Sequence, residues 1–157
     1  MVTKRSAGLL LWRRRPTGVE VLIGHMGGPF WQSRDEAAWS IPKGEYEPDE
    51  EPMAAARREF EEELGLQAPD GEWQPLGEAR QSNGKVVTAW AIEGDLDTSL
   101  VVPGTFTMEW PRGSGEVREF PEVDRAEWCG LEEARSRLVN GQRVFLERLL
   151  PLVERDG

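Results

Sequence analysis

The segment from Gly44 to Leu66 constrains this chain more than any other, because it specifies both a helix and the face that helix presents. Pro52 stands where a helix tolerates proline, in a first turn whose N–H groups have no partner within the helix. Asp49, Glu50 and Glu51 precede it and suit the positive end of the helix dipole. Met53, three alanines, Arg57 and Arg58 are good helix formers, and Gly65 stands where a C-terminal cap belongs. The pattern predicts a helix over 51–64. On it Glu59, Glu62 and Glu63 recur at i, i+3 and i+4 and share one face, while Met53, Ala56, Phe60 and Leu64 form an apolar stripe. Carboxylates this close repel one another. A hard divalent cation, Mg²⁺ or Mn²⁺, relieves that repulsion and takes oxygen ligands. Glutamate runs are usually solvated faces, and Glu61 is read that way.

The residues framing the trio resemble the signature of the Nudix hydrolases: Gly44, Glu50, Arg58-Glu59, Glu62-Glu63, Gly65 and apolar Leu66, all at that family's spacing. The resemblance covers about 39–66 closely and the flanking strands more loosely. It implies an α/β fold, an α/β/α sandwich with a central mixed β-sheet, spanning 1–157 as one domain. The implied activity is divalent-metal-dependent hydrolysis of a P–O–P bond in a nucleoside diphosphate linked to another moiety. By the same resemblance Glu59 and Glu63 are the main metal ligands, and Glu62 is a third ligand or the general base. A main-chain carbonyl, that of Lys43, joins the metal shell, and Gly44 makes a tight turn before the helix. Arg58 orients the glutamates through charge-assisted hydrogen bonds, and Glu50 has a supporting role at the helix start.

Family members often add an acidic residue from a later loop. Glu122, six residues before Trp128, is the choice here, with Glu116 and Glu119 as competitors. Lys43, which replaces a glycine found in many members, and His25, at a strand end, are candidates for phosphate contact. Trp31, with Phe30 and Trp110, is a candidate for stacking a base. The form Pro42-Lys43-Gly44 resembles branches that hydrolyse dinucleoside polyphosphates, which favours those or nucleoside triphosphates as substrates. ADP-ribose or nucleotide-sugar hydrolysis is the alternative within the family, and a noncatalytic nucleotide sensor the alternative outside catalysis.

Composition narrows the partners. A net charge of −10 opposes binding to a nucleic-acid polymer or an anionic membrane, but not to a small phosphorylated nucleotide that meets a bound cation. No apolar run approaches a membrane span, no signal peptide is expected at the start, and the single Cys129 excludes an internal disulfide. A cytoplasmic monomer or homodimer is the expectation.

Along the chain, Ser6–Trp12 reads as a buried strand, Arg13–Gly18 as a solvated turn and Val19–His25 as a second strand. Residues 26–38 read as a loop and Trp39–Ile41 as a short strand. Asn83-Gly84 marks a hairpin between Leu76–Gln81 and Lys85–Ile92. Residues 106–120 read as an irregular excursion and Arg125–Cys129 as a strand. Helices are expected at 131–138 and 142–153, with Pro151 ending or kinking the second.

Overall fold

The computed structural model describes residues 4–154. Strand β1 (Arg5–Arg15) buries every residue from Ala7 to Trp12, so both of its faces need cover. Alternation divides that run between two cores. Ala7, Leu9 and Leu11 face helix α1 (Pro52–Leu64), packing with Leu22, Ala55, Ala56, Phe60 and Leu64. Leu10 and Trp12 face α2 (Leu131–Arg137) and α3 (Arg143–Glu154), packing with Val21, Ile23, Ala134, Phe145 and Leu149. The architecture is therefore a mixed sheet between helical layers, as expected.

β1 runs antiparallel to β2 (Gly18–Met26) and parallel to β6 (Val86–Glu93), which continues to the edge strand β5 (Gln74–Arg80). β1 and β2 part beyond the Trp12–Val21 pair, and two short strands fill the gap. β3 (Trp39–Ser40) pairs with β2 at Gly24 and His25, and β4 (Lys43–Glu45) pairs with β1 from Ser6 to Gly8. This wedge carries Lys43-Gly44 to the flank of α1. On its other side β2 pairs with β9 (Val123–Gly130).

The structure corrects several expectations. β1 continues through Arg15, and the turn is only Pro16-Thr17. Arg13 is no solvated turn residue: it is held by Glu20 (2.9 Å) and Asp95 (2.7 Å) and lies 4.0 Å over the Trp128 ring. The expected excursion is an ordered hairpin, β7 (Thr105–Glu109) with β8 (Val117–Pro121), forming a separate two-stranded sheet. Its cross-strand Phe106–Phe120 pair, 6.0 Å between centroids, supplies the apolar content that the Pro111–Gly115 tip hides in sequence. Pro151 does not end α3 early: the helix continues through it to Glu154, with Pro151 exposed in its last turn. Met53 is exposed, and Ala55 takes the buried place on α1 instead.

The edge strand β5 is irregular. Its pairing shifts between Pro75 and Gly77, and Arg148 of α3 donates to the carbonyls of Leu76 (2.9 Å) and Glu78 (2.7 Å). Among the described residues, no helix is long and apolar enough to cross a membrane.

Candidate active site

The acidic face of α1 is built by its two ends. Pro52 opens the helix after Glu51, which makes no side-chain cap, and Gly65 closes it in the left-handed region at φ 69°, its N–H donating to Glu61. Glu61, read as a solvated residue, accepts the N–H of Ala68 at 3.0 Å and so fastens the chain leaving the helix. Glu50 stays outside the first turn, where Arg58 grips both its oxygens at 2.8 and 2.9 Å. The same guanidinium reaches Glu59 at 2.8 Å and Glu62 at 3.2 Å. One arginine thus spans three carboxylates, and these bonds raise its own pKa, that to Glu50 most of all.

Glu63 is buried, with 7% of its surface exposed, and accepts the Lys43 N–H at 2.8 Å. Burial pushes its carboxyl up to about 8; Lys43 opposes the shift, and Glu122 and Glu59 add to it. Glu59 is also raised, by burial first, with Arg58 pulling down and Glu62 and Glu122 pushing up. The Lys43 ammonium is lowered by burial in spite of Glu63, Glu45 and Glu59 beside it.

Gly44 has a different reason from the expected tight turn. It lies in β4 opposite Ala7, and a Cβ there would overlap the Glu59 carboxylate. The missing side chain is a space requirement.

Glu122 stands at the β8–β9 junction and within electrostatic reach of Glu59 and Glu63. Glu116 is instead exposed and ion-paired with Arg118 at 3.0 Å, and Glu119 is exposed in β8 opposite Thr107. His25 does not open to the site: it is fully buried, and both ring nitrogens are taken, by Asp124 and by the Arg34 carbonyl. It has no ring nitrogen left for a phosphate. Trp31 is half-buried against the α3-side core with Phe30 edge-on at 4.9 Å, and the Arg34 guanidinium lies 4.5 Å over the exposed Phe30 ring. Trp110 sits at the far end of the β7–β8 hairpin. Sequence reading missed Asp124, Gly27 and Phe106, which packs on Gly28; the Gly27-Gly28 pair was the one available sign of a close approach.

Among the described residues, no three carboxylate, histidine or cysteine side chains already stand at metal-ligand spacing. Arg58 holds Glu59 and Glu62, while Glu63 accepts from the Lys43 main chain. The donor chemistry nevertheless fits a hard divalent cation: oxygen ligands only, two carboxyls raised by burial first and then by neighbouring carboxylates, and a glycine cradle against one of them.

A sheet between helical layers, with this carboxylate face on its first helix, is the arrangement of one family of pyrophosphohydrolases. The chain belongs to it: the NUDIX domain model matches residues 2–149, so this is a member of the NUDIX family. No curated protein matches the sequence. Among solved structures the fold is similar to a Caenorhabditis elegans Ap4A hydrolase in a binary complex, at 19% identity and TM-score 0.65 over 98% of this chain and 99% of that one. It is similar to the NUDIX domain of Shewanella oneidensis NrtR complexed with ADP ribose, at 12% identity and TM-score 0.64 over 98% and 90%. It is also similar to a MutT protein from Methanosarcina mazei, at 23% identity and TM-score 0.57 over 98% and 99%.

Proposed function

We propose that this protein is a Mg²⁺-dependent hydrolase of a P–O–P bond in a small nucleotide, acting on dinucleoside polyphosphates or nucleoside triphosphates. The observation that carries the reading is the buried Glu63 carboxylate, set beside Glu59 and Glu122 and tied to the Lys43 main chain. When bound, Mg²⁺ (or Mn²⁺) neutralises phosphate charge and acidifies a bound water. Glu59 and Glu63 hold the cation, with the Lys43 carbonyl as a further ligand. Glu62 or Glu122 completes the shell or takes the proton of the attacking water. Arg58 braces Glu59 and Glu62 from behind through Glu50. The Lys43 ammonium, beside Glu63, binds a substrate phosphate. Trp31 and the exposed Phe30 are the aromatic rings we assign to stacking a base.

Pro42-Lys43-Gly44 and the likeness to the nematode Ap4A hydrolase favour dinucleoside polyphosphates. The likeness to the Shewanella domain complexed with ADP ribose supports ADP-ribose as the second reading. Product analysis after incubation with Mg²⁺ and dinucleoside polyphosphates, nucleoside triphosphates, ADP-ribose or nucleotide sugars tests both. Turnover of one class, lost in Glu63→Gln, supports hydrolysis and names the substrate. Tight binding of a nucleotide with no product from any class refutes hydrolysis in favour of a sensor.

A further inference from the structure

His25 is buried and unused by the chemistry above, yet its ring is held on two sides. Nε2 lies 2.6 Å from the Arg34 carbonyl oxygen, which can only accept, so this nitrogen donates. Nδ1 faces both carboxylate oxygens of Asp124, at 2.9 and 3.0 Å, and the Trp39 ring stands edge-on at 5.2 Å. Asp124 is itself unusual. His25 pairs with Arg125 and Met26 with Val123, so Asp124 is the extra residue of a β-bulge between β2 and β9. Bulges re-aim neighbouring side chains.

The residue re-aimed here is Glu122. Its N–H donates to the Gly104 carbonyl at 2.8 Å, and its carbonyl accepts the Gly27 N–H at 3.0 Å. A Cβ on Gly27 would overlap the Pro121 carbonyl, and one on Gly104 would lie 2.9 Å from the Glu62 carbonyl of α1. The junction is therefore pressed between β2 and the acidic helix, and the His25–Asp124 contact lies at the bulge that immediately follows it.

We propose that the buried His25–Asp124 strut is a positioning device that aims the Glu122 carboxylate at Glu59 and Glu63. The inference rests on the reading that Glu122 takes part in the metal site. It adds to that reading two residues, neither of which touches metal or substrate. Partners of this supporting kind typically change metal affinity or activity by about tenfold or more when removed.

Calorimetry with Mn²⁺ alone, on the full chain at one pH, tests it. Glu122→Gln is expected to weaken Mn²⁺ binding about tenfold. Asp124→Ala and Asp124→Asn lose the same charge, but the asparagine keeps an acceptor for Nδ1. Asp124→Ala should therefore bind several-fold more weakly than Asp124→Asn, and that difference should vanish when Glu122→Gln is added to both. Asp124 sits at the surface end of the strut, with 26% of its side chain exposed, so both variants should fold. Equal affinities for the alanine and asparagine variants, or a difference that persists without Glu122, would overturn the proposal. So would unchanged Mn²⁺ binding in Glu122→Gln. A native chain that shows the coupling but hydrolyses nothing would sink the hydrolase reading while upholding the strut.

Discussion

Glu63 makes the metal-free protein sensitive to pH in the direction opposite to that of a salt-bridged carboxylate. The Glu63→Gln variant separates its contribution from that of Glu59, which is raised in the same sense. The Glu63 carboxyl ionises at about 8 in the fold, against an ordinary value of 4.5, with burial as the main cause. Across that interval the folded chain holds a proton that the unfolded chain has released. Stability from this group is fully present below 4.5 and is lost as pH rises through 8, by up to about 1.4 kcal/mol per pH unit. The interval sets a ceiling of about 5 kcal/mol, and a third of that shifts the melting temperature of a chain this size by roughly 3–7 °C. Glu63→Gln carries no proton to lose. In chelator, the variant minus native difference in melting temperature should therefore grow from pH 5 to pH 8, with the variant the more stable at the upper end. Mg²⁺ should erase the native protein's deficit, because the cation takes the place of the proton, and should do little for the variant. Thermal melts in EDTA and in Mg²⁺ at four pH values measure all of this. A difference that stays flat from pH 5 to 8 would refute the argument from burial.

Three further outcomes follow from the packing. Gly44→Ala, whose new methyl would overlap the Glu59 carboxylate, should fold but lose Mn²⁺ affinity and turnover by about tenfold or more, read by calorimetry and steady-state kinetics. Phe60→Ala, which empties a fully buried position between α1 and the sheet, should cost about 3–5 kcal/mol in urea unfolding. The Cys129 thiol is buried and pushed up to about 12, so iodoacetamide at pH 8 should leave the native protein unlabelled by mass spectrometry and alkylate it only after denaturation.

What was legible in the sequence was local chemistry. Pro52 and Gly65 act on their own neighbours, so α1 could be bounded from them, and the i, i+3, i+4 glutamates need only helix geometry to share a face. Asn83-Gly84 announced the β5–β6 hairpin in the same way. Contacts between distant segments were not legible. His25 looked like a strand-end residue facing the site because nothing near it names Asp124, 99 positions away. Gly44 was read as a turn, since a sequence cannot show that the Glu59 carboxylate occupies the space of its missing side chain. Arg13 looked solvated because its partners, Glu20 and Asp95, come from a strand and a loop that only the sheet brings together.

The outer edge of the sheet has a bearing on behaviour at high concentration. A strand edge offers unpaired N–H and carbonyl groups to any other extended chain, and it is a usual starting point for aggregation. On β5 such a visitor would meet Pro75, which has no N–H to offer, and a register break that bends the ladder. It would also find the Leu76 and Glu78 carbonyls already bonded to Arg148. Continuous β-pairing between copies is blocked along this strand, and a side chain of the last helix does part of the blocking. Damage to that helix would therefore do more than open a core: it would unmask a sticky edge.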